Sequence, residues 1–263
     1  MTKLAVKHSY SCVLVRDGTR AWEAVGARLF NQKYKKMIGQ VILINIVSFS
    51  GGKDSTALLL MMLERGMKVD YIVCVDMGKE FPEMYEHWKQ VEEYTGRKLT
   101  ILKLPKSYDY YMFDHLKTKG KNKGKRGYGW AQSGIRWCTT LKTQLINRFL
   151  RSLNEPYQEF VGIAADEAKR CKDKNYPLVE WGVTEAQALE YCRSKGFDWG
   201  GLYNHFHRVS CRCCPLKSIP ELRVIWKYHP DVWKELQDMD NRAYNQFRAD
   251  YSIADLTKRF ENE

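Results

Sequence analysis

No apolar run in this 263-residue chain approaches the 18 residues that a membrane-spanning helix needs. Its opening, MTKLAVKHSY, holds no sustained apolar core and so does not read as a secretory signal. Together the two absences lead to the expectation of a cytoplasmic protein with no membrane partner. Acidic residues are in short supply, 31 against 43 lysines and arginines, and the formal net charge is +12. That imbalance bears on attraction to anions and not on fold. It favours nucleotides, nucleic acid or acidic partners. No internal repeat is visible, and two common nucleotide signatures are missing. Neither G-x-x-x-x-G-K-[ST] nor G-x-G-x-x-G occurs, which removes the common P-loop and the dinucleotide fingerprint.

What the chain does have is an ordinary apolar fraction of 44%, enough for a buried core, and eight cysteines. They are Cys12, Cys74, Cys138, Cys171, Cys192, Cys211, Cys213 and Cys214. Clustered cysteines in a cytosolic chain more often bind metal or do chemistry than form disulfides.

Residues 1–40 read as an N-terminal extension. Residues 41–180 read as a nucleotide-binding α/β domain, and 181–263 as a C-terminal region with helices and the cysteine cluster. VILINIVSF, from Val41, is nearly continuous in apolar residues, as a strand buried on both faces requires. Further strands are expected at VDYIVCVD, KLTILKLP and YQEFVGIAAD. Helices are expected at TALLLMMLERG, FPEMYEHWKQVEEYTG, CTTLKTQLINRFLRSL and TEAQALEYCRSKG, and two more are broken near Pro230. Thr184 and Gln187 stand at capping-box spacing. The alternation predicts a mainly parallel twisted sheet flanked by helices, Rossmann-like.

SFSGGKDSTALLL joins the first strand to the first helix. Ligands of open parallel sheets bind beyond the carboxyl ends of the strands. Gly51 and Gly52 let backbone N–H groups curl round an anion, and a helix expected from about Ser55 adds free N–H groups and its dipole. Ser48, Ser50 and Ser55 offer hydroxyls, and Lys53 a charge. Asp54 reads as a loop-orienting residue or a ligand of Mg²⁺.

CRCCP, at 211–215, holds three cysteines within four residues. The C-x-x-C spacing of Cys211 and Cys214 suits zinc or an iron–sulfur cluster, with Cys213 as a further thiolate. The run KTKGKNKGKRGYG carries six cations from Lys117 to Arg126. It reads either as a mobile clamp on tRNA or DNA, with Tyr128 and Trp130 stacking on bases, or as a lid over the nucleotide. His205 and His207, just before the cysteines, read as pocket-lining.

SGGKDS, at 50–55, resembles the SGGxDS signature of the PP-loop ATP pyrophosphatase superfamily. GIRWCTTLK at 134–142, GIAADEAKR at 162–170 and DMGKEFPEMYE at 76–86 resemble segments of its phosphoadenosine phosphosulfate reductase-like branch. The resemblance covers roughly residues 41–226. It implies an adenine nucleotide alpha hydrolase-like fold and ATP bound with Mg²⁺. ATP would be cleaved between the α and β phosphates to adenylylate a substrate for sulfur transfer. It also implies Asp76 and Gly162 near the nucleotide, Lys142 and Arg170 near phosphate, Asp166 as a further ligand of Mg²⁺, and Cys138 beside Cys211, Cys213 and Cys214. A [4Fe-4S] cluster is favoured over Zn²⁺. A sulfur-donor protein or thiol reductant is an implied partner, and a homo-oligomer is compatible. Classical sulfonucleotide reductases use a cysteine near the C-terminus, and none follows Cys214 here. Sulfonucleotide reduction is therefore the alternative, with a catalytically silent nucleic-acid-binding protein as a third reading.

Overall fold

The computed structural model describes residues 43–120 and 122–263. The expected extension over 1–40, Cys12 included, lies outside the described residues. Four apolar runs form strands β1 (Ile44–Ser48), β2 (Tyr71–Asp76), β3 (Thr100–Lys103) and β4 (Tyr157–Val161). All pair in parallel, in the order β3-β2-β1-β4. Successive side chains alternate between faces. Val47, Ile72 and Cys74 thus enter the main core, while Ile46 and Val73 enter a smaller cluster on the other face. The central strands β1 and β2, covered on both faces, are the most continuously apolar, while the edge strands β3 and β4 carry exposed and polar residues.

The helices are α1 (Lys53–Glu64), α2 (Pro82–Thr95), α3 (Trp137–Ser152), α4 (Pro177–Glu180), α5 (Glu185–Ser194), α6 (Ile219–Tyr228), α7 (Pro230–Arg242) and α8 (Ile253–Asn262). Helix α1 is apolar nearly all round from Ala57 to Met62, and those residues are buried between sheet and α5. The expected caps are present. Gly96 takes a φ of 63° after α2, and Thr184 and Gln187 make a reciprocal capping box on α5. Helix α8 was not expected. Ser252 and Asp255 cap it, and Ile253, Leu256 and Phe260 bury its apolar stripe.

Chain order in the sheet explains where a site can form. β1, α1, β2, α2 and β3 run outward in one direction. Helix α3 then returns the chain along the opposite face, where Ile146, Phe149, Leu150 and Leu153 pack on Ile44, Ile46, Val73 and Leu102. β4 lands on the far side of β1. The strand order therefore reverses between β1 and β4, and a crevice opens there beyond the carboxyl ends. Among the described residues, no helix is long and apolar enough to cross a membrane.

Candidate active site

The glycine loop leaves β1 into that crevice. Helix α1 begins at Lys53, two residues earlier than expected, so Gly52 is its N-cap, with no side-chain capping bond. Gly51 sits at a φ of +80°, where a Cβ would stand 2.3 Å from Trp88 Nε1. Gly162, just past β4, abuts the same turn, and a Cβ there would fall 2.7 Å from the Ser55 backbone. Both positions demand glycine because backbone must approach backbone or indole. Ser50 and Ser55 pin the loop. The Ser50 N–H donates to Ser55 Oγ (3.2 Å), and Ser55 Oγ donates to the Gly52 carbonyl (3.0 Å).

The segment Trp199–Asn204 grips the loop from outside. Trp199 Nε1 donates to the Gly51 carbonyl (2.7 Å), and the Lys53 N–H donates to the Tyr203 hydroxyl (2.8 Å). Two polar atoms bordering the loop, Trp88 Nε1 and Asp54 Oδ1, are buried without a hydrogen-bond partner among the described residues. A recess of about 510 Å³ between α2 and Trp199 is lined by Glu83, Glu86, Glu93 and Asp198 with Lys89 as its one lysine, a poor lining for phosphate.

Several expected residues have specific partners. The Lys53 ammonium is buried and turns to Asp54 Oδ2 (3.4 Å) and Glu185 Oε1 (3.3 Å). Burial pushes the Asp54 carboxyl above its usual range; Lys53 opposes that shift and Glu185 adds to it. Asp54, Glu167 and Glu185 each bring a carboxylate oxygen within 4.8 Å of the others. Asp166 stands beside this group, but its Oδ1 accepts the Glu185 N–H (3.1 Å) at the start of α5. Arg170 is paired with Glu167. Ser48 Oγ donates to Glu159 (2.7 Å), and Asp76 accepts from the Gly78 N–H (2.7 Å) and the Tyr85 hydroxyl (3.0 Å).

The thiols gather next to this edge. Cys138 lies in the first turn of α3, while Cys211, Cys213 and Cys214 share a tight turn closed by the Cys214 N–H to the Cys211 carbonyl (3.1 Å). The thiols are close enough to perturb one another's ionisation, Cys138 with Cys214 and Cys211 with both Cys213 and Cys214. Burial pushes the Cys138 and Cys211 thiols up, and Cys213 to about 12. The buried Tyr108 hydroxyl is close enough to Cys213 for each to influence the other's ionisation. Lys142 reaches across to Glu80 (3.2 Å) and Cys211 Sγ (4.0 Å). Burial works against its charge, yet Cys211 and Glu80 hold its pKa above the ordinary lysine range. Arg212 braces the turn by a two-pronged bond to Glu235 (2.7 and 3.2 Å) and by donating to the Glu80 carbonyl (2.7 Å).

Four thiolates suit either zinc or an iron–sulfur cluster.

The basic run departs from expectation. It folds back on itself, Leu116 bridging Arg126 and the Lys117 N–H donating to the Lys125 carbonyl (2.9 Å). Trp130 is buried against Phe247, with Nε1 on Asp240 (2.9 Å), so it cannot stack on a base. Tyr128 already stacks with His115 (5.0 Å) and Trp137 (5.4 Å). His205 stacks on Tyr228, and His207 lies 3.4 Å from Glu185. Sequence reading missed Glu80, Trp88, Glu185, Trp199 and Tyr203. The paired glycines after Trp199 were a turn signal, but nothing local tied that turn to the loop.

A family model described as the phosphoadenosine phosphosulfate reductase domain matches residues 44–229. An uncharacterised protein of Methanocaldococcus jannaschii is 25% identical over 214 residues, 74% of this chain and 41% of that protein. The chain thus spans less than half the length of this relative. An uncharacterised nin region protein of Escherichia phage lambda is 30% identical over 207 residues, covering 70% of each. Among solved structures, a U34-tRNA thiolase from Methanococcus maripaludis with its [4Fe-4S] cluster aligns over 90% of this chain and 78% of its own. Identity there is 11% and the TM-score 0.38.

Proposed function

Because the chain belongs to the phosphoadenosine phosphosulfate reductase domain family, within the adenine nucleotide alpha hydrolase-like superfamily, we propose that it is a PP-loop enzyme of sulfur chemistry. It cleaves ATP between the α and β phosphates and adenylylates an acceptor. One observation carries this reading. A complete SGGKDS loop lies at the point where the strand order reverses, and the Gly51 and Gly162 backbones keep side chains out of the crevice. In this reading residues 41–180 bind the nucleotide, while 181–263 supply the cysteine turn and Glu185.

In this reading the residues take the following roles. The N–H groups of Gly51, Asp54 and Ser55 receive the pyrophosphate, since those of Ser50, Gly52 and Lys53 are already bonded within the site, and Trp88 Nε1 is a further donor at the same place. Asp54, Glu167 and Glu185 would hold Mg²⁺, and Lys53 offsets their mutual repulsion. An acceptor oxygen forms a bond to the α phosphorus, the bridge to the β phosphate breaks, and pyrophosphate leaves with the electron pair. Stabilising that departing charge is the protein's main catalytic task. AMP then leaves with the acceptor oxygen as sulfur from an external donor takes its place. Lys142 stays protonated and places a positive charge between Glu80 and the thiols. Cys138, Cys211, Cys213 and Cys214 would hold a [4Fe-4S] cluster; with all four bound no iron is open, and with three bound the remaining iron would offer a site for sulfur.

The test is anaerobic incubation of the protein with ATP and Mg²⁺, with tRNA, DNA or sulfate as acceptor. Pyrophosphate release stimulated by one acceptor is expected. Absence of pyrophosphate with every acceptor, together with sulfite formed from an activated sulfonucleotide and a thiol, would overturn the reading.

A further inference from the structure

We propose that the exposed face of α3 is a track for the sugar–phosphate backbone of a nucleic acid, leading it to the thiol end of the site. That the bound nucleic acid is the acceptor rests on the adenylylation reading; the binding itself does not.

Charge is the first observation. Between Lys103 and Asn154 stand twelve lysines and arginines against two acids, Asp109 and Asp114. Helix α3 has no acid in its sixteen residues. Geometry is the second. Arg136, Gln144, Asn147, Arg148 and Arg151 are all exposed, and their spacing sets them on one side of the helix. The opposite side is spent on the sheet, through Ile146, Phe149 and Leu150. A shallow recess of about 300 Å³ is lined by Gln144, Asn147, Arg148 and Arg151. Among the described residues, no ion pair engages Arg136, Arg148 or Arg151.

Direction is the third. Fifteen residues separate Arg136 from Arg151, about 22 Å at the helical rise. That span fits several phosphates. The helix starts at the thiols, with Cys138 in its first turn, and ends near the amino ends of the strands. A polyanion lying along it is therefore led to the end of the helix where Cys138 stands, while Lys142 lies on the sheet-facing side and turns to Glu80 and Cys211. Guanidinium forks match phosphate oxygens, and the intervening amides both donate and accept, as sugar and base edges require. The folded basic run is a weaker candidate, because Lys117 turns inward to the Tyr244 hydroxyl (3.3 Å).

Fluorescence anisotropy tests this on the full chain without ATP, using single-stranded RNA and DNA of one sequence across a salt series. The parent should bind at least one of them with a clear salt dependence. In Arg148→Gln/Arg151→Gln, affinity should fall about tenfold or more. The slope of log affinity against log salt should shrink by about 1.4, two single-strand phosphate contacts at about 0.7 each. ATP affinity and thermal midpoint should hold. Unchanged affinity and slope in the double variant would overturn the track. Equal, arginine-dependent capture by phosphatidylserine vesicles would overturn the choice of nucleic acid. Pyrophosphate release is measured in parallel. Oligonucleotide loss without pyrophosphate release in the parent sinks only the adenylylation reading, and the converse sinks only the track.

Discussion

Gly51 shows how little room the loop has. Its φ of +80° disfavours any side chain, and Trp88 Nε1 would stand 2.3 Å from an added Cβ. The indole is buried and cannot swing away. Gly51→Ala should therefore cost at least about 1–2 kcal/mol for the left-handed backbone alone. It should also abolish pyrophosphate release, as read by thermal melting beside the pyrophosphate assay. His87, behind the loop, has a different consequence. It is bonded to Thr56 Oγ1 (3.0 Å) and packed on Trp199 (4.6 Å), and burial pushes its pKa down to about 3. An unfolded histidine titrates near 6.5. Between those values the unfolded chain takes up a proton that the folded one refuses. Stability should then be flat above about pH 6.5 and fall as pH drops towards 3, by up to about 1.4 kcal/mol per unit. Urea midpoints at pH 7 and pH 5 would show the loss, and His87→Gln should reduce it.

At the scale of elements, Glu235 ties α7 to the cysteine turn. It receives Arg212 from that turn and Lys79 (2.7 Å) from the segment between β2 and α2. Lys79 is buried, so its loss of a partner matters more than at a solvated site. Glu235→Gln should destabilise by about 1–3 kcal/mol and lower bound iron, measured by colorimetric iron assay, although all four cysteines remain. A full iron complement in that variant would show that the brace does not position the turn. The elements themselves were largely legible. β1 to β4 stand where apolar runs meet turn residues, and α5 begins at the Thr184 box. Helix α8 escaped notice because its box closes with Asp255 where Glu or Gln is the usual signal, though Ile253, Leu256 and Phe260 already had helical spacing. Trp130 misled for the opposite reason. An aromatic beside lysines looks solvent-facing until Phe247, more than a hundred residues later, covers it.

For the whole molecule, what could be read depended on chain distance. SGGKDS and CRCCP are contiguous, so each stands out in a line of sequence. The groups that hold them are not. Trp199 and Tyr203 reach the glycine loop from about 150 residues away, and Glu185 meets Asp54 only because α5 packs on α1. Local pattern carries no sign of such pairings. Charge distribution was half legible. The surplus of cations was plain, but its gathering along one side of α3 needed the helix to be seated on the sheet. The grip of Trp199 on the Gly51 carbonyl, with Trp88 beneath the same glycine, has an optical consequence. Two of the eight indoles are in contact with the turn proposed to receive the pyrophosphate. Filling the turn changes the surroundings of both, so the protein's own ultraviolet emission reports occupancy, and titrations need no attached dye.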